Sequence, residues 1–231
     1  MYFTAVCFYI MHTTAMAQSD TSTSGIRFGV KVGAVVSEFS NAQPYTNQSL
    51  GVMAGGVVEY GFSGKLSVQT EPSYIQQGGT YVRFSDDSRF GSISPVYITS
   101  NKITMHNVDI PVFVKYTLPS IGNFTPNIVL GPHATYVIAA TNNFERTYYY
   151  NQTFSSIQGF EIVSTEYERF QFGATAGLGG EVSLGNKRLM IDLRYKYGIT
   201  PAKMSYSYID LYQVQGDLTN HSYYFTIGFG L

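Results

Sequence analysis

Segments of about ten residues in which every second side chain is apolar recur eight times along this chain, and no charge falls on the apolar phase of any of them. The stretch "LMIDLRYKYG" shows the rule. Leu189, Ile191, Leu193, Tyr195 and Tyr197 occupy one phase, and Met190, Asp192, Arg194 and Lys196 the other. A period of two places successive side chains on opposite faces of a strand. It predicts strands over residues 26–36, 50–60, 66–76, 107–116, 127–138, 170–182, 189–198 and 222–231. Strands of that length are long for a soluble sheet and sufficient for a tilted strand to cross a bilayer. Charge placement alone fits two arrangements: a soluble sheet with a buried apolar face, or a membrane barrel with the faces exchanged.

Two further patterns separate them. The connections 61–65, 117–126 and 183–188 are short, whereas 37–49, 77–106, 139–169 and 199–221 are long. Short turns at one end and long loops at the other describe an up-and-down outer-membrane barrel with both termini in the periplasm. The charged phases also carry Gly29, Gly33, Gly51, Gly55, Gly131, Gly173, Gly177, Gly179, Gly228 and Gly230. A water-facing surface has no need of so much glycine, but a narrow barrel interior filled by large side chains does. Tyr60, Tyr74, Tyr116, Tyr136, Tyr195, Tyr197 and Tyr223 fall near strand ends on the apolar phase, where an aromatic girdle meets headgroups. The expected fold is all-β: an eight-stranded antiparallel up-and-down transmembrane barrel with a polar, side-chain-filled interior.

Composition agrees. Only 13% of the 231 residues are charged, against 20 Tyr, 16 Phe and 23 Gly. With 14 basic and 15 acidic residues there is no electrostatic basis for binding nucleic acid. Residues 1–17 have an apolar centre and end in Ala15-Met16-Ala17, the pattern of a cleaved Sec-type signal peptide, although the usual positive n-region is missing. The expected organisation is a signal peptide over 1–17, a short polar tail over 18–25 and one barrel domain over 26–231, located in the cell outer membrane. Cys7, the sole cysteine, leaves with the signal, so disulfides and thiol chemistry play no part.

The interior phase brings Arg27, Lys31, Lys115, Arg194 and Lys196 against Glu59, Glu71, Asp109, Glu181 and Asp192, five cations and five anions. Buried charges must be paired. The expectation is a lumen ion-pair network, with Arg27, Glu59, Lys115 and Glu181 near the periplasmic rim. The alternative use of the same residues is a polar pathway for small solutes. An enzyme acting on lipid A would need a Ser, a His and a carboxylate together near the outer leaflet. His221-Ser222 with Glu168 is the nearest approach, and its spacing is generic. His133 is expected in the lumen as a hydrogen-bonded residue. Tyr148, Tyr149 and Tyr150 suggest a surface-contact loop, or else a strand continued above the membrane or a cap on the barrel mouth. Asp86-Asp87 lacks the spaced oxygens of a calcium loop. No catalytic, metal or cofactor site is expected.

The stretches "FGVKVGAVVS" (28–37), "NVDIPVFVKY" (107–116), "IVLGPHATYVI" (128–138), "FGATAGLGGEVSLGNKRLMIDLRYKYGI" (172–199) and "YYFTIGFGL" (223–231) resemble the PorT-like, porin-family outer-membrane barrels of Bacteroidetes. The Asp-Ile-Pro segment and the glycine-rich hairpin before Asp192 are the most specific pieces. The resemblance implies an eight-stranded barrel surrounded by outer-membrane lipid and lipopolysaccharide. Its C-terminal strand would be read by the assembly machinery, although it ends in Leu231 rather than an aromatic residue. The role implied is non-enzymatic: structural, surface interaction through the long loops, or membership of an export complex such as type IX secretion. A small-solute porin is the runner-up, and a lipid-A-modifying enzyme comes third.

Overall fold

The computed structural model describes residues 25–40, 45–86, 96–150, 153–202 and 219–230. The strands are β1 (Ile26–Ser40), β2 (Tyr45–Gly61), β3 (Leu66–Thr70), β4 (Ser73–Asp86), β5 (Val96–Thr117), β6 (Phe124–Tyr150), β7 (Thr153–Ile162), β8 (Phe170–Leu184), β9 (Lys187–Gly198) and β10 (Thr219–Gly230). All named pairings are antiparallel, and β1 closes the sheet by pairing with β10, Val30 lying opposite Phe229. Strands β3 and β4 are two parts of one strand. Thr70 faces Val112 and Ser73 faces Asp109, so the register against β5 runs unbroken across Glu71-Pro72. Pro72 has no amide hydrogen to give to a ladder. Its carbonyl still accepts from Gly56 N at 3.0 Å, which keeps the interrupted strand in place. The ring is therefore eight strands around.

The faces are arranged oil outside and charge inside. On β1, Val32 is 61% exposed and neighbouring Lys31 is 3% exposed. On β9, Leu193, Tyr195 and Tyr197 are exposed while Asp192, Arg194 and Lys196 are buried. With the charged phase turned into the closed ring, the exposed apolar band faces lipid. The girdle tyrosines Tyr60, Tyr74, Tyr116, Tyr195, Tyr197 and Tyr223 lie on the outer surface. Gly122 and Gly185 take positive φ (61° and 64°) in two of the short turns, a conformation in which a side chain would be strained.

Several strands outrun the sequence-based boundaries. Strand β5 has 22 residues and β6 has 27, roughly twice the 9–11 that cross a bilayer. Much of the expected loops 77–106 and 139–169 is thus paired strand, continued outward as β4, β5, β6 and the added β7. A bulge in β6 opposite His106/Asn107 marks the change: Val137 and Ala140 are both buried, with Ile138 exposed between. Beyond it the alternation is among polar residues, so no apolar phase advertises a strand. Backbone pairing needs none once both faces are wet. The signal peptide and tail expected over 1–25 lie outside the described residues apart from Gly25, as do Asp87, residues 203–218 and Leu231.

Candidate functional site

All ten charges expected in the lumen point inward, and cross-strand geometry explains how they fit. Lys31 stands opposite Gly55 on one side and Gly228 on the other. Arg194 faces Gly177, and Asp192 faces Gly179. A methyl group at Gly228 would sit 2.5 Å from Lys31 Cγ, and one at Gly177 2.5 Å from Arg194 Cγ. Glycine opposite Lys31, Asp192 and Arg194 is what lets the middle of the lumen hold them, while Lys196 faces the small residues Ser222 and Thr175.

The charges form three tiers along the barrel. At the periplasmic end, Glu59 accepts from Arg27 Nη2 (2.5 Å), Lys115 Nζ (3.2 Å), Arg188 Nη1 (3.3 Å) and Ser67 Oγ (2.7 Å). Glu181 accepts from Lys115 and from Arg188 Nη1 (2.7 Å). In the middle tier Lys31 Nζ lies 2.7 Å from Glu71 and 2.6 Å from Asp192. Both terminal nitrogens of Arg194 bond Glu71, which also accepts from Gln69 Nε2. The Arg194 guanidinium lies 4.6 Å from the centre of the buried Phe113 ring, a cation–π contact. In the third tier Lys196 Nζ reaches Asp109 (2.5 Å) and Thr135 Oγ1 (2.7 Å), while His133 Nδ1 meets Thr175 Oγ1 at 3.0 Å.

Above the ions the lumen turns neutral and then apolar. Gln77 donates to Ser222 (2.7 Å) and Tyr224 Oη (3.2 Å) and accepts from Asn107 (3.1 Å). Over this layer Phe39, Tyr81, Ile103, Met105 and Ala140 pack with Val163, Tyr167 and Ala202. The chain after β7 folds back to reach this position. Val163 N donates to Ala140 O (2.9 Å), and Ala140 N donates to Ser164 Oγ (2.9 Å). A cavity between the middle and third tiers, lined among others by Glu71, Asp109, Phe113 and Tyr224, has a volume of about 10 Å³, room for about one water molecule. The arrangement holds charge in fixed pairs and leaves no wide path through the described residues.

Two expectations change. The sequence places Arg188 in a turn, but it joins the periplasmic tier, so among the described residues the lumen network holds six cations against five anions rather than equal numbers. Its phase, shared with Met190 and Asp192, was the available signal. The His221-Ser222 arrangement does not form. Ser222 is buried and bonded to Asn220 and Gln77, whereas His221 faces outward to Tyr195 Oη (3.1 Å) and Ser40 Oγ (2.8 Å). Adjacent strand residues point to opposite faces, which separates the pair. Of the readings open for Tyr148, Tyr149 and Tyr150, the continued strand is the one observed: they stand in β6, paired with β7, and the side chains of Tyr149 and Tyr150 lie outside the described atoms. The capping residues Val163, Tyr167 and Ala202 had no periodic signal, because each sits outside a strand.

Over residues 16–203 the chain matches the family described as outer membrane protein beta-barrel domain. The protein belongs to that family. Solved structures of similar fold include neisserial surface protein A, 11% identical, with 90% of this chain and 98% of that chain covered at a TM-score of 0.45. OprG from Pseudomonas aeruginosa is 13% identical, with 90% and 95% covered and a TM-score of 0.45. Ail, the attachment invasion locus protein of Yersinia pestis, is 12% identical, with 90% and 100% covered and a TM-score of 0.39. Among curated proteins none matches the chain. The family places the barrel in the outer membrane.

Proposed function

We propose that this outer-membrane barrel is non-enzymatic and works through its surfaces, as a PorT-like component of an export complex whose partners meet the strands above the membrane. The observation that carries this reading is the filled lumen: three ionic tiers under a neutral layer and an apolar cap. A barrel so filled offers solutes no route, while β5, β6 and β7 present a large paired sheet outside the lipid. The PorT-like sequence stretches add export as the process. Lipopolysaccharide surrounds the outer end at the level of the tyrosine girdle, and β10 is the strand read during assembly.

Deleting the gene tests this. Export substrates should accumulate in the periplasm, the intact gene should restore export, and a version lacking residues 143–160 should reach the outer membrane without restoring it. Normal export in the deletion strain would contradict the proposal, as would full rescue by the shortened protein. Uptake of a small neutral sugar should be unchanged throughout; faster uptake on expression would favour the small-solute porin instead.

A further inference from the structure

Charge is distributed unequally along the barrel axis. The long connections 37–49, 77–106, 139–169 and 199–221 carry nine acidic and six basic residues. At the opposite end the three short turns hold Lys65, Lys187 and Arg188 and no acid at all. Both lysines are exposed. The acids nearest to them, Glu59 and Glu181, are only 1% and 9% exposed and are already shared among Arg27, Lys115 and Arg188. Arg27 bonds Glu59 through Nη2 alone, and Arg188 bridges Glu59 and Glu181 through Nη1 alone, so each guanidinium engages carboxylate through one arm of its fork. Among the described residues, every exposed charged side chain on this rim is therefore positive. Apolar side chains share it: Phe62 is 61% exposed and Ile121, in the turn beyond β5, is 75% exposed. Lys187 lies 5.4 Å from the Phe229 ring, a contact that leaves its charge at the surface.

We propose that this periplasmic rim is a docking surface for an acidic, partly apolar segment of a periplasmic protein, with Lys65, Lys187, Arg27 and Arg188 meeting its carboxylates and Phe62 and Ile121 its apolar side chains. A phospholipid leaflet would draw on the lysines through phosphate. The lack of an exposed acidic side chain among the described rim residues, together with an apolar residue in a turn outside the paired strands, fits a polypeptide better. The inference rests on topology and charge and stands whether or not the barrel serves export.

The test uses the full chain in nanodiscs of zwitterionic lipid, with fluorescently labelled poly-L-glutamate as the probe and anisotropy as the readout. Binding is expected at low ionic strength and should weaken steadily as salt rises past roughly 0.1 M. Reversing two charges, K65E with K187E, should weaken it about five-fold or more, while the matched reversal K102E with R146E at the other end should change it less than about two-fold. Both variants change exposed side chains, and retention of the barrel's heat-modifiable gel migration verifies that each is folded. No binding by the wild type at low salt overturns the proposal, as does equal loss in the two variants. Rim-dependent binding to nanodiscs containing anionic lipid, with none to polyglutamate, assigns the rim to lipid and overturns it as well.

Discussion

Glu71 is the residue on which the lumen most depends. It takes both terminal nitrogens of Arg194, the ammonium of Lys31 and the amide of Gln69, all inside the barrel. Replacing it by Gln leaves two buried cations with Asp192 alone. Removing one partner of a buried ion pair costs about 3–5 kcal/mol, so Glu71→Gln should lower the urea unfolding midpoint in detergent by a corresponding amount. Arg27 is the contrasting case, because its side chain is 36% exposed at the rim. Arg27→Ala should cost less than about 1 kcal/mol in the same measurement. Equal losses in the two variants would show that tier position does not govern these pairs. At this scale the sequence was highly legible: parity alone picked ten lumen charges. Arg188 escaped because its neighbours Gly185-Asn186 mark a turn, and a residue at a strand's first position looks like part of it.

Strand length follows from what surrounds each part of a strand. Inside the bilayer, lipid makes one phase uniformly apolar, and all eight expected segments fall on observed strands. Above it, Thr141, Asn143, Glu145 and Thr147 alternate with Asn142, Phe144, Arg146 and Tyr148, and neither phase stands out. The outward continuation of β6 and the whole of β7 were therefore illegible as strands. Excising residues 143–160 should leave the heat-modifiable gel shift and its unfolding temperature nearly unchanged, since these residues lie beyond the lipid band. A loss of the shifted form would mean that the outer sheet helps hold the barrel together. Close strand approach gives a second prediction. A side-chain carbon at Gly131 would overlap the Val112 carbonyl, while one at Gly61 would meet nothing within 4 Å. Gly131→Val should destabilise the barrel by about 1–3 kcal/mol or block its assembly, and Gly61→Ala should be tolerated. Unfolding in detergent compares them directly, and similar stability for both would contradict the packing described.

For the whole molecule, the sequence identified an inside-out barrel because composition, loop lengths and glycine placement agree only on that architecture. It did not disclose the seal at the outer mouth. Val163, Tyr167 and Ala202 reach the lumen from segments without periodicity, and only the folded chain brings them over Phe39 and Met105. That apolar cap, stacked on the paired charges, is what supports the proposal of a closed body rather than a pore. Single-channel recording of the purified full-length protein in a planar lipid bilayer addresses this directly. The proposed closed lumen predicts no steady conductance above the bare membrane, and none for Arg194→Glu unless the barrel is disrupted. Reproducible steady openings of the wild type, with ion selectivity altered by Arg194→Glu, would contradict it.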